Sequence, residues 1–187
     1  MIKHDPAKLQ WGFFFDQTRC CGCYTCVMAC RQWHDSHTNR RWVQTMEEGK
    51  FPHIKVTFLS LSCLHCDSPI CVSSCPTGAL RKRNEDGIVT ADKEICLGKE
   101  ECGQCLNACP YEAINFEEDS DAKIEKCDLC LPRIIVGDKP ICVLACTTRA
   151  LEVGPLNELM ARYGNRQETN DFKYYSDVRP SIVFKVK

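Results

Sequence analysis

Cysteine supplies most of the chemistry within reach of this chain. It has 17 cysteines in 187 residues, and sixteen of them fall into four sets. The first set is Cys20, Cys23, Cys26 and Cys30, and the second is Cys63, Cys66, Cys71 and Cys75. The third is Cys96, Cys102, Cys105 and Cys109, and the fourth is Cys127, Cys130, Cys142 and Cys146. A CxxCxxCxxxC run is the bacterial ferredoxin pattern, in which three cysteines hold one iron–sulfur cluster and the fourth crosses to a neighbouring cluster. A tight loop points three thiolates at three corners of a cubane, and the helix that follows carries the fourth away.

Two other uses of clustered cysteine compete with this one. A zinc-stabilised binding module needs two CxxC pairs per metal, whereas each set here closes on a CxxxC step that zinc ribbons do not need. A disulfide scaffold fits an odd count poorly, and most of these cysteines stand two or three residues apart, too close to pair with one another. Metal analysis separates the first two readings: iron with sulfide for clusters, zinc without sulfide for the module.

The elements that must position these thiols repeat. After the last cysteine of sets two, three and four the chain reads CPTGAL (75–80), CPYEAI (109–114) and CTTRAL (146–151), which indicates one supersecondary unit used several times. Asp16 and Asp92 each stand four residues ahead of the first cysteine of their sets. Ala79–Arg83 and Ile88–Ala91 flank an Asn84–Gly87 turn, and Ala113–Phe116 and Lys123–Lys126 flank an acidic turn at Glu117–Asp121, so both pairs read as β-hairpins. Pro155–Tyr163 reads as a helix stopped by Gly164, and Asn165–Asp177 as a polar, irregular stretch. The expected fold class is α+β: two ferredoxin-like modules of the bacterial two-cluster type, fused, with short helices, β-hairpins and a C-terminal helix plus strand.

Composition narrows the partners. The 24 basic and 25 acidic residues nearly cancel, so the chain has no overall field for nucleic acid. No apolar run approaches the roughly 20 residues needed to cross a bilayer, so no direct membrane insertion is expected. Met1–Asp16 lacks a basic segment followed by an apolar stretch, which suggests a cytoplasmic location and is compatible with export on a signal-bearing partner. Arg19, Arg31, Lys126, Arg133 and Arg149 lie near the cysteines in sequence and would offset part of the thiolate charge. No acid–base constellation is evident in the sequence, so any catalysis is expected to belong to a partner.

GFFFDQTRCCGCYTCVMAC, SLSCLHCDSPICVSSCPTGAL, DGIVTADKEICLG, KCDLC, CVLACTTRALEVGPLNEL and the closing RPSIVFKVK together resemble the four-cluster iron–sulfur subunit of the dimethyl sulfoxide reductase family. That resemblance implies an electron-transfer subunit, not itself catalytic, relaying single electrons through four 4Fe-4S clusters to or from a molybdenum or tungsten bis-pterin catalytic subunit. It also implies a membrane anchor or other redox subunit as a further partner. A free-standing polyferredoxin, or a subunit of an aldehyde-oxidoreductase-type tungsten enzyme, is the nearest alternative.

The resemblance further implies the ligand sets: Cys20, Cys23, Cys26 with Cys146; Cys127, Cys130, Cys142 with Cys30; Cys63, Cys66, Cys71 with Cys109; and Cys96, Cys102, Cys105 with Cys75. On this reading the chain is a single four-cluster unit over residues 1–187. Module one combines 1–35 with 120–155, module two spans 58–118, and 156–187 is a tail expected to dock against a partner or wrap back over the clusters. Three positions depart from the family pattern. Five residues separate Cys96 from Cys102, so Gly98–Glu101 should bulge outward; Thr147 stands where a proline is usual; and Cys21 is an additional thiol, expected to be small and buried. His65, between two expected ligands, reads as a hydrogen-bond or packing neighbour that tunes potential. Arg31–Ser62, with Trp33, His34, His37, Trp42 and His53, reads as a docking surface or a covering loop, with no ligand role for its histidines.

Overall fold

The structure, a computed structural model, describes residues 9–119 and 121–187. The part of the N-terminal reading that falls on residues 1–8, and residue 120 in the acidic turn, lie outside them. The elements in chain order are β1 (Trp11–Asp16), α1 (Thr25–His34), β2 (Arg41–Lys50), β3 (His53–Ser62), α2 (Ile70–Ser73), β4 (Leu80–Lys82), β5 (Val89–Ala91) and α3 (Gln104–Ala108). There follow β6 (Asn115–Phe116), β7 (Ile124–Glu125), α4 (Leu131–Ile135), α5 (Ile141–Ala145), β8 (Leu151–Pro155), α6 (Leu156–Tyr163) and β9 (Ile182–Lys185). This is a mixed fold of small sheets and short helices, as expected.

Three consecutive phenylalanines make β1 apolar on both sides, and strand alternation divides them. Phe13 and Phe15 enter the main core with Leu59, Leu129, Ile182 and Phe184, while Phe14 packs with Leu156, Leu159 and Val183. β1 is the central strand of a three-stranded sheet, antiparallel to β8 and parallel to β9. Tyr163, in the last turn of α6, stacks on Phe14 with ring centroids 3.7 Å apart. The helix ends at Gly164, where the sequence puts its stop.

Both expected hairpins form, β4 with β5 and β6 with β7. The stretch between sets one and two holds a third: β2 and β3 pair antiparallel from Arg41↔Ser62 at the base to Lys50↔His53 at the tip. Its base is buried and its tip exposed. The polar outer half masks the alternation, and the connection carries Phe51-Pro52 in place of an Asn-Gly signal, so the hairpin is poorly visible in sequence.

The closing segment is woven into the core. Ile182, Val183 and Phe184 are buried on β9, and Phe172 stacks on Tyr111 with centroids 5.1 Å apart. Arg179 bonds Asp67 and Ser68 beside set two. The irregular stretch therefore buries its few large apolar side chains, with Val178 beside them.

Candidate metal centres

The cysteine loops share one backbone device. Gly22, His65 and Leu129 stand directly ahead of Cys23, Cys66 and Cys130 with φ of 68°, 45° and 58°. Left-handed residues at these points fold the chain back on itself, so thiols close in sequence converge on one point. Glycine is needed at the first: a Cβ on Gly22 would stand 2.4 Å from the Phe58 ring.

The repeat read after sets two, three and four is a turn aimed at sulfur. Gly78, Glu112 and Arg149 are left-handed, and their N–H groups donate to the carbonyls of Cys75, Cys109 and Cys146 at 3.3, 3.2 and 3.2 Å. The next residue then presents its amide to the cysteine: Ala113 N–H donates to Cys109 Sγ at 3.5 Å and Ala150 N–H to Cys146 Sγ at 3.2 Å. The Asp echo is also structural, since the Asp16 amide donates to Ala150 and the Asp92 amide to Ala79, both at 2.8 Å.

The structure gathers the sixteen thiols into four groups that cut across the sets. Cys20, Cys23, Cys26 and Cys146 line one small cavity, together with Cys21, Phe15, Ser60 and Leu151. Cys75, Cys96, Cys102 and Cys105 line another, together with Leu80, Phe116 and Ile124. Between them, Cys30 neighbours Cys127, Cys130 and Cys142, and Cys66 neighbours Cys63, Cys71 and Cys109.

Burial pushes the thiols up, Cys71 and Cys130 to about 12 and Cys105 to about 11, and the neighbouring cysteines reinforce it. Cys20, Cys26, Cys30, Cys66, Cys127 and Cys142 are raised by the same cause. Cys23, at the surface, goes the other way: the Thr25 hydroxyl donates to its sulfur at 3.3 Å and lowers it to about 7. Convergent buried sulfurs repel one another as thiolates, and a cationic iron–sulfide core bound by four of them removes that repulsion. Neither cavity is lined by a carboxylate or an imidazole among the described residues. The donor sets fit thiolate-held clusters.

Two buried cations lie among the groups. Arg41, 2% exposed, neighbours Cys26, Cys30, Cys127 and Cys142. Lys126, buried as well, donates through Nζ to the carbonyls of Val89 and Cys127 and neighbours Cys71. Lys126 stands among the basic residues singled out in sequence; Arg41 was missed there. Nothing in sequence separates Arg41 from Arg40, which turns the other way to pair with Glu125.

His65 is fully buried, and its Nδ1 accepts the Val89 N–H at 3.0 Å, so Nε2 carries the proton. Burial, and then Lys126 and Arg41, hold its pKa well below the usual histidine range, so it stays neutral. His34, given no ligand role in sequence, lies beside a thiol. Its Nδ1 accepts from Arg40 at 3.0 Å, which leaves Nε2–H to face Cys130 Sγ at 3.8 Å and Asp128 at 3.5 Å.

Of the departures from pattern, Cys21 is corrected: it is exposed, not buried, and it lines the first cavity beside Cys20 and Cys23. The insertion in set three bulges at Lys99–Glu101, whereas Gly98 itself is buried. Cys96 keeps its place beside Cys105. Thr147 puts a hydroxyl 3.8 Å from Cys23 Sγ, a contact proline would not supply.

Fold and thiol groups together define an iron–sulfur protein, and comparison agrees: residues 54–156 match the 4Fe-4S dicluster domain, and the chain belongs to that family. Its relatives name the branch. Over 187 residues it is 37% identical to the iron–sulfur subunit of the anaerobic dimethyl sulfoxide reductase of Haemophilus influenzae, covering 94% of this chain and 89% of that one. The corresponding Escherichia coli protein is also 37% identical, over 94% and 88%. A subunit of the sulfite dehydrogenase of Allochromatium vinosum is 36% identical over 80% and 70%. The chain is thus a member of the family that contains the iron–sulfur subunits of the anaerobic dimethyl sulfoxide reductases. No helix among the described residues is long and apolar enough to cross a membrane.

Proposed function

We propose that this chain is the electron-transfer subunit of a multisubunit oxidoreductase and relays single electrons through four 4Fe-4S clusters. The ligand sets are Cys20, Cys23, Cys26 with Cys146; Cys127, Cys130, Cys142 with Cys30; Cys63, Cys66, Cys71 with Cys109; and Cys96, Cys102, Cys105 with Cys75. The observation that carries this reading is the grouping of thiols across sets. Each of the four groups takes three cysteines of one set and one from another, as crossed ligation requires.

The order along the wire follows from shared neighbours. Cys26 neighbours Cys142, linking the first group to the second; Cys127 neighbours Cys63, linking the second to the third; and Cys71 neighbours Cys105, linking the third to the fourth. The division into two modules, sets one with four and two with three, is supported by the matched Asp16–Ala150 and Asp92–Ala79 bonds. When bound, the clusters supply one-electron redox chemistry. This chain's residues hold them apart from water and set their potentials through sulfur hydrogen bonds and buried charge.

Similarity to the iron–sulfur subunits of dimethyl sulfoxide reductases supports a molybdenum- or tungsten-pterin catalytic subunit as the partner that does the substrate chemistry. A membrane anchor or second redox subunit takes the opposite end of the wire, and the cytoplasmic location expected from sequence is read by cell fractionation. The test is metal analysis of anaerobically prepared chain, where about sixteen iron atoms with equal acid-labile sulfide are expected. Zinc without sulfide, or iron for only two clusters, would sink the reading.

A further inference from the structure

Arg41 is a guanidinium with 2% of its surface exposed, and no carboxylate pairs with it among the described residues. A cation taken out of water without a counter-charge loses several kcal/mol of solvation. Its partners are neutral or sulfur: Nη1 donates to Ser60 Oγ at 3.0 Å, Nη2 donates to Ser62 Oγ at 2.9 Å, and the Phe13 ring centroid lies 4.8 Å from the guanidinium carbon. Burial opposes the charge, and the neighbouring groups able to offset it are the sulfurs of Cys142, Cys26, Cys127 and Cys30. The counter-charge for Arg41 is therefore sulfur.

The serine beneath it extends its reach. Ser60 Oγ accepts from Arg41, which leaves its own proton free, and Cys26 Sγ lies 3.4 Å from the same oxygen. The Arg41 guanidinium is also a close electrostatic neighbour of Cys142. Cys26 belongs to the group with Cys20, Cys23 and Cys146, and Cys142 to the group with Cys30, Cys127 and Cys130.

We propose that Arg41, with Ser60 as its relay, is a positioning residue that sets the reduction potentials of these two adjacent clusters together. This rests on the four-cluster reading above. Each cluster becomes more negative on accepting an electron, and a fixed cation and a hydrogen bond to its cysteine sulfur stabilise that reduced form. Both act to raise the potential. The base of the β2–β3 hairpin is thus the lever through which the protein keeps this half of the wire reducible.

The test is an EPR-monitored redox titration of the full, anaerobically reconstituted chain, with iron and sulfide counted on each sample. Arg41→Gln is expected to lower both potentials so that the reduction equilibrium of the Cys142 cluster falls at least tenfold, about 59 mV for a one-electron couple. The cluster of Cys75, Cys96, Cys102 and Cys105 should not move. Arg41→Lys, which keeps the charge and loses the fork, should restore the greater part of the shift. Ser60→Ala should lower the Cys26 cluster alone.

Unchanged potentials in a fully loaded Arg41→Gln or Ser60→Ala chain would overturn the proposal. So would an equal shift at all four clusters. If Arg41→Gln does not load, Ser60→Ala and Arg41→Lys decide by the same criteria. Wild-type chain without iron and sulfide instead refutes the four-cluster reading on which this one rests.

Discussion

The amide of Ala150 donates to the sulfur of Cys146 across 3.2 Å, held there by a left-handed Arg149. The same turn, with Gly78 and Glu112 in the place of Arg149, follows Cys75 and Cys109. A side chain in this conformation is disfavoured, more so when it branches at Cβ. Arg149→Val should lower stability by about 1–2 kcal/mol, and Arg149→Gly should change it little. Thermal denaturation of the reconstituted chain is the measurement, and equal effects of the two would remove the turn from the explanation.

Crossed ligation predicts which cluster a cysteine affects. Cys146→Ser should perturb the cluster of Cys20, Cys23 and Cys26, and Cys30→Ser that of Cys127, Cys130 and Cys142. Cluster-resolved EPR of each variant reads this directly. The opposite assignment would mean that neighbouring thiols in space are not the ligands.

Gly22 tests the packing behind the first loop. Its φ is 68° and a Cβ added there would run into the Phe58 ring. Gly22→Ala should therefore destabilise the chain by about 1–3 kcal/mol and loosen the first cluster. Phe58→Leu in the same chain should restore part of the loss, a coupling that a double-mutant cycle measures.

Asp67 ties the closing segment to set two through Lys82 and Arg179. Burial works to raise its pKa, but hydrogen bonds and charge from Lys82 and Arg179 outweigh that and leave it below 3.8. A carboxyl with its folded pKa depressed stabilises the fold above its unfolded pKa, and this contribution fades as pH falls through the folded value. Asp67→Asn should therefore cost about 1 kcal/mol near neutrality, with the gap to wild type closing below about pH 4. A gap that persists in acid would assign the effect to shape and not to charge.

Much of the site was legible because its signals are local. The spacing of Cys20, Cys23 and Cys26 announces a loop that converges on one point, and the CTTRAL repeat marks a turn that recurs with its hydrogen bonds intact. The hairpins β4–β5 and β6–β7 show through their turn residues. What stayed hidden depends on register and distance. Arg40 and Arg41 are neighbours in sequence, yet Arg40, just ahead of β2, pairs with Glu125, while Arg41, the first residue of the strand, lies in the core among four thiols. His34 meets Cys130 only through the fold, and Cys21 is exposed although it lines the same cavity as Cys20.

The sheet carries a consequence for how the molecule is made. Phe13 on β1 has Ile182 on β9 as its parallel partner, and the thiol groups lie on the chain between them. Contacts this far apart form late, since the intervening loop must close first. During synthesis the sulfurs would thus emerge before the strand that seals the sheet, leaving a nascent form open to iron delivery and exposed to oxygen until β9 takes its place.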